Sequence, residues 1–424
     1  MTEEFLQYIW NHKLFRNLNE TTDGKSIEII STGHQNTNAG PDFINARIKI
    51  ANTLWAGNVE IHINSSDWYK HKHNEDKAYN NVILHIVYND DTEIYRRNGE
   101  ILPAVVIKDC FDETLYKKYK QLSADISPVP CANMLVYVDA MTKRSWYETL
   151  LIERLQRKVG ELESVLNHFN NDWEVVFYQF LARNFGFKVN SLQFELLAKA
   201  LPFNYLLKCR DNLFQLEALL FGQAGLLEKD YRDEYPQLLK KEYLYLKQKF
   251  SLIKPENIHW KFLRTRPSAF PSLRLAQFAA LISGYEALFS KCIETSNIKD
   301  FYKIFDIKSS DYWREHYIFD KKVSETSQLS KTSIDNLLIN TIAPFVFVYY
   351  KRQGNYDYSE KTVNLLLQIA PEKNKIIALW NKFGIKPSNA FESQALIELK
   401  NEYCFNKKCL HCRFGSFILK LIDK

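Results

Sequence analysis

Carboxylates and imidazoles crowd into one short stretch of this chain. It holds Asp42, Glu60, His62, Asp67, His71, His73, Asp76 and His85, and four of the ten histidines fall between 62 and 85. Unpaired charge on a sheet face is costly, so such a set on strands calls for a balancing cation. Asp42 and Glu60 suit a hard divalent ion, Mg²⁺ or Mn²⁺, with His62 beside them to position or deprotonate a water. Lys70 or His71, on the turn that follows, can reach Glu60. His85 has two readings, a satisfied core histidine or a metal ligand beside His62. The imidazoles of His62, His71, His73 and His85 also compose a zinc site for hydrolysis of some other substrate.

Two further sets stand out. Cys404-x4-Cys409-x2-Cys412 places three thiols in nine residues, with His411 among them. That knuckle suits zinc or an iron–sulfur cluster, with Cys131 or His411 as fourth ligand. Lys407, Lys408 and Arg413 favour the thiolate forms. Cys110, Cys209 and Cys292 look like ordinary buried cysteines. The other set is basic: from Lys240 to Arg274 nine Lys and Arg face two acids, so the rest of the chain is near neutral. Within it, Lys261, Arg264, Arg266 and Arg274 lie among Trp260, Phe262, Pro267 and Phe270, a composition suited to phosphate contact and base stacking. Nucleic acid is the partner this predicts.

The elements that must position these groups follow from periodicity. Residues 2–16 have helical spacing at Phe5, Tyr8, Ile9 and Phe15, with Glu4 near the start, where a carboxylate suits the helix dipole. Ser26–Ser31 reads as a strand. Ile44, Ala46, Ile48 and Ile50 alternate with polar neighbours, as do Trp55, Val59, Ile61 and Ile63, so a β-hairpin is expected. Matching the two apolar faces pairs Ile50 with Trp55, Asn45 with Glu60 and Phe43 with His62. That register leaves Asp42 on the wrong face unless a bulge near Pro41 re-aims it. The polar loop 33–40 delivers the chain to Pro41. Ser65 to Asp67 resembles a helix cap. Val82–Tyr88 and Ile101–Ile107 are further strands, and Phe111–Leu122 a helix.

A strand-initiating Pro-Asp, a β-hairpin and then Glu-x-Lys form the signature of the PD-(D/E)xK nuclease superfamily. Residues 1–110 resemble it at Pro41-Asp42 and Glu60-Ile61-His62, with His62 where the family has lysine. The resemblance implies a restriction-endonuclease-like sheet, a metal at Asp42 and Glu60, and phosphodiester cleavage. Some of those nucleases carry an iron–sulfur staple joining a distant cysteine to three C-terminal ones, an arrangement similar to Cys131 with the C-terminal trio. The full-length chain also resembles an uncharacterised bacterial protein family of unknown function.

Beyond the prolines of 123–131 the period changes from 2 to 3.6 and stays there. Residues 146–169, 173–185, 192–201, 213–227, 235–250, 272–294, 332–351, 359–369 and 373–383 read as helices. The expected architecture is α+β over 1–125, all-α over 126–400 and a cysteine knuckle over 401–424. With 424 residues, 46% hydrophobic and 25% charged, the chain is long and apolar enough for sizeable cores. It has no apolar run long enough to span a bilayer, no signal-peptide start and an odd cysteine count, which together predict a soluble cytoplasmic protein with thiols rather than disulfides. The leading expectation is a metal-dependent phosphodiesterase, a nuclease by resemblance. The others are a catalytically inactive nucleic-acid-binding or assembly module, and the zinc hydrolase.

Overall fold

The computed structural model describes residues 1–263, 265–326, 328–355 and 358–421. Arg264 lies outside the described residues. Two compact units emerge: Met1–Trp146 together with Leu399–Lys424, and Tyr147–Glu398. The α+β architecture followed by an all-helical region is therefore the one observed. The boundary, however, falls near 146 rather than 125, and the C-terminal knuckle belongs to the first unit rather than forming a third.

The first unit is built on a six-stranded mixed sheet. Its strands are β1 (Ile27–Ser31), β2 (His34–Gln35), β3 (Phe43–Ile50), β4 (Thr53–Asn64), β5 (Val82–Asn89) and β6 (Ala104–Val106). The path runs β1-β3-β4-β5-β6, with β2 paired to β3. β1, β2, β3 and β4 pair antiparallel, whereas β5 joins β4, and β6 joins β5, in parallel. Residues 82–87 are buried without alternation, as expected of a central strand covered on both faces. Helix α1 (Glu3–Asn11) packs on β4. Thr2 caps it, its hydroxyl accepting from the Phe5 amide at 3.3 Å, and Glu3 and Glu4 occupy the positive first turn. Phe5, Leu6, Tyr8, Ile9 and Trp10 are buried on it, each worth about 1.5–3 kcal/mol of apolar transfer. Helix α2 (Asp67–Lys70) is a single turn after β4, and α3 (Glu113–Ala124) follows the sheet.

The hairpin register differs from the sequence expectation by two residues and contains the bulge that expectation required. Ile50 pairs with Thr53 and Ile48 with Trp55, about a two-residue turn at Ala51-Asn52, and then the register shifts between Ala46 and Phe43. Phe43 faces Val59 rather than His62. The shift is taken up at Asn45, whose φ of 59° lies in the left-handed region that Asn tolerates better than most residues. Ile44 is consequently exposed and Phe43 buried, the reverse of a strict alternation. Gly33 makes this close pairing feasible: its φ is +84°, and a Cβ there would lie 2.6 Å from the Ile44 carbonyl oxygen.

The second unit is helical, as the 3.6-residue period predicts. Trp173–Phe185, Leu213–Gln223, Glu234–Lys249 and Pro271–Gly284 fall close to the periodic windows. A small hairpin at 316–322 and the helix Ala390–Glu398 are additions that periodicity did not show. Aromatic packing dominates the interior: Phe221 stacks on Trp313 at 4.9 Å, and Phe177, Phe289 and Phe345 pack against one another. No helix among the described residues is long and apolar enough to cross a membrane.

Candidate metal centre

The bulge at Asn45 turns Asp42 toward β4. The Asp42 amide donates to Glu60 Oε2 at 3.1 Å, and Asp42 Oδ2 accepts from the Ile61 amide at 3.0 Å. The two acidic residues are thus laced to each other's strands. The loop before Pro41 holds this geometry. The Asn36 amide donates to the Asp42 carbonyl at 2.7 Å, and its side chain donates to the Pro41 carbonyl at 3.0 Å. Helix α1 contributes Gln7, whose Nε2 donates to Asp42 Oδ1 at 2.9 Å.

Glu3, one turn before Gln7 on the same helix, is the carboxylate that α1 brings within electrostatic reach of both Asp42 and Glu60. Glu4, the acid singled out from sequence, instead faces His411 and accepts from the Tyr119 hydroxyl. The i,i+4 spacing of Glu3 and Gln7 was the available signal, and it was missed.

The other carboxylate oxygen of Glu60 meets imidazoles. Glu60 Oε1 lies 3.5 Å from His62 Nε2 and 3.3 Å from His73 Nε2. The second of these is a contact without hydrogen-bond alignment, and His73 Nε2 is otherwise without a partner. His71 Nδ1 lies 3.2 Å from His62 Nε2. Ligand atoms of His62, His71 and His73 all fall within 4.8 Å of one another. The rings pack together: Trp68 lies edge-on to His73, His73 against Tyr79 at 3.8 Å, and His62 parallel to His73 at 5.3 Å. His62 is buried, His73 partly so, and His71 is at the exposed rim, so the cluster opens to solvent on one side.

His85 sits behind this group, fully buried, with Nε2 2.9 Å from His62 Nδ1. It is therefore placed to orient His62, with the His62 Nε2 lone pair left facing Glu60 when Nδ1 carries the proton. Of the two readings offered by sequence, ligand or core histidine, the geometry gives an orienting one. Lys70 is a correction: its ammonium pairs with Asp67 at 2.5 Å, three residues back on α2, and points to solvent rather than to Glu60. His73 occupies the place beside Glu60 that a lysine was expected to fill.

The electrostatics describe a site short of positive charge. Burial raises Asp42 to about 7, with the Glu60 charge adding to the effect, and burial raises Glu60 to about 8. Burial also drives His62 down to about 2 and His85 to about 3, with the neighbouring imidazoles contributing. Neutral imidazoles and carboxyls whose ionised forms lack a cation are the donor set that a divalent ion satisfies. The residues fit such an ion. Three imidazoles, with a Glu60 oxygen beside two of them, suit Mn²⁺ or Zn²⁺ better than Mg²⁺, which favours all-oxygen surroundings.

The basic segment divides. Lys261 and Arg266 are exposed, and Lys261 is held through its backbone by the Asn190 side chain, at 2.9 Å in both directions. Arg274 is a correction: it is 5% exposed, donates to Gln277 and Ser333 and stacks over Phe187 at 4.7 Å. A guanidinium consumed by the helical core cannot reach a phosphate. Trp260 likewise is anchored, its Nε1 donating to the Ala224 carbonyl at 2.8 Å. Lys240 and Lys254 pair with Asp230 and Glu228, acids just outside the basic window.

Fold and site together define an α+β protein whose mixed sheet carries a buried carboxylate–histidine cluster, continued by a large helical unit. The chain belongs to the family described as protein of unknown function (DUF2851), whose profile matches residues 3–375. Neither the curated proteins nor the solved structures contain a match to it.

Proposed function

We propose that the first unit hydrolyses phosphodiester bonds with a divalent ion held by Glu60, His62, His71 and His73, Asp42 standing beside it. The observation that carries this reading is the Asn45 bulge, which brings Asp42 against Glu60 at the head of a hairpin while the imidazoles converge on the far oxygen of Glu60. A divalent ion in such a site lowers the pKa of water and offsets charge on the scissile phosphate. The chain's own groups do the rest. His85 fixes the His62 ring, Gln7 and the Ile61 amide fix Asp42, and Trp68 and Tyr79 wall the site with apolar rings. Asp42, raised to about 7, can accept a proton near neutral pH. In the helical unit, taken by itself, exposed Lys261 and Arg266 are open to phosphate, which keeps nucleic acid as the substrate class of this reading.

A second reading rests on the histidine triad alone: zinc held by His62, His71 and His73 for hydrolysis of a different substrate. Metal analysis of the purified chain, with cleavage of single- and double-stranded DNA and RNA in Mn²⁺, Zn²⁺ or Mg²⁺, separates the two. Metal-dependent cleavage that falls at least ~100-fold in Glu60→Gln supports the nuclease. Stoichiometric zinc without cleavage of any nucleic acid moves the assignment to the second reading. A protein that retains no metal removes both.

A further inference from the structure

We propose that Cys131, Cys404, Cys409 and Cys412 hold an iron–sulfur cluster that fastens the C-terminal segment into the first unit. This stands apart from the carboxylate–histidine site and shares no residue with it.

Three separated stretches of chain bring the four thiols together. Cys131 precedes the short helix Ala132–Tyr137, and Cys412 precedes the C-terminal helix Arg413–Leu419, and these two helices pack against each other. Cys404 closes the π-helical turn Leu399–Cys404, and its neighbour Tyr403 lies edge-on to Trp146 at 5.1 Å. Trp146 in turn lies beside Cys412, and its buried indole N–H makes no hydrogen bond. Cys409 is joined to the same structure by close backbone contact: a Cβ on Gly415 would lie 2.1 Å from the Cys409 carbonyl oxygen, so only glycine allows the knuckle to lie on the helix start. Lys407 ties the loop to the Ser123 carbonyl at 2.7 Å.

The surroundings are those of thiolates rather than of filler cysteines. The amides of Phe414 and Gly415 face the Cys412 sulfur. A neutral thiol is a weak acceptor and gains little from such donors, whereas a metal-bound thiolate uses them. Lys400 beside Cys404 and Lys407 beside Cys409 add positive charge. All four are free of disulfides.

Geometry also selects the kind of centre. Four sulfurs around one zinc ion, at bonds of about 2.3 Å, stand about 3.8 Å apart. Among the described residues, the only group with three ligand atoms within 4.8 Å is the histidine triad, so these sulfurs are spread more widely than a single ion requires. A multi-iron cluster holds its four thiolates farther apart. His411 is not the fourth ligand: its Nε2 lies 3.3 Å from Glu4 and its side chain is 44% exposed. Cys110 donates to the Val106 carbonyl, and Cys209 and Cys292 belong to the second unit.

The test is iron, acid-labile sulfide and zinc content, with visible absorption, of the full chain purified without oxygen and after anaerobic reconstitution with ferrous iron and sulfide. The expected result is about two to four iron and as many sulfide per chain, with broad visible absorption that dithionite bleaches. Cys412→Ser should lose the iron, and Cys292→Ser should keep it. If Cys412→Ser does not fold, the content of the unaltered chain decides alone. Stoichiometric zinc without sulfide, or a reconstituted chain that binds no iron, overturns the proposal.

Discussion

His62 has one ring nitrogen toward His85 and the other toward Glu60 and His71, so in the proposed metal site orientation and ligation meet at this residue. Removing the partner that orients a ligand weakens metal binding without deleting a ligand. His85→Ala should therefore lower metal affinity roughly 10–100-fold, measured by competition with a chelating dye, while leaving the metal stoichiometry at saturation unchanged. Unaltered affinity would return His85 to a packing role. Asp42 and Glu60 behave differently, because each is an acid whose ionised form is disfavoured in the metal-free protein. Asp42→Asn and Glu60→Gln cannot ionise, so neither should lower the melting temperature of the metal-free protein near pH 8, although each should reduce cleavage at least ~100-fold. A variant that loses activity together with its fold would mean the carboxylates act as structure.

At the scale of elements, one residue inserted into β3 decides the site. Asn45 at φ 59° absorbs the register shift, and a β-branched residue is strongly disfavoured there. Asn45→Val should cost about 1–2 kcal/mol in a denaturant melt, whereas Asn45→Gly should be close to neutral. Asn45→Val should also reduce metal binding, since Asp42 is aimed by the same shift. In the helical unit, Glu217 on Leu213–Gln223 is buried, accepts from Tyr235 at 2.6 Å and Trp313 at 3.0 Å, and is raised by burial to about 7. Unfolded, it loses its proton near its ordinary value of 4.5. The native state binds the extra proton between those values. Its contribution is complete below the lower one and is lost as pH rises through the higher. The second unit should thus lose stability on the order of 2–3 kcal/mol between about pH 5 and pH 8 from this group, and Glu217→Gln should flatten that slope.

For the whole chain, the return of Leu399–Lys424 to the first unit is the main organising fact. The Tyr8 hydroxyl pairs with Ser416 at 3.0 Å, and Lys118 donates to the Leu421 carbonyl at 2.5 Å, so the segment is fastened to α1 and α3. Phe414, Ile418 and Leu419 are buried. A chain ending at Glu398 exposes their partners and should lose the near-ultraviolet dichroism of the first unit, with increased binding of an apolar dye. Normal melting of that truncated chain would make the segment an appendage.

Much of this was legible in the residues because it is local. Alternation placed β3 and β4, a short apolar run placed β5, the change of period placed the helical unit, and the crowding of acids and imidazoles placed the site within 42–85. The pairing of His62 with His85 followed from neighbouring strands. What the sequence could not carry was any choice that depends on one residue of register or on distant chain. Shifting a strand by one position exchanges its faces, and periodicity cannot show where a bulge absorbs the shift. Thus Asp42 was aimed by Asn45 rather than by Pro41. Glu3 rather than Glu4 reached the site because a helix turns 100° per residue. Lys70 found Asp67 because a partner three residues away is nearer than one across a turn. Arg274 had the composition of a phosphate contact, and only packing against Phe187, Gln277 and Ser333 made it core. Spacing left Cys131 and His411 both open as neighbours of the C-terminal cysteines, and only the fold brings Cys131, more than two hundred residues earlier, within electrostatic reach of Cys409 and Cys412.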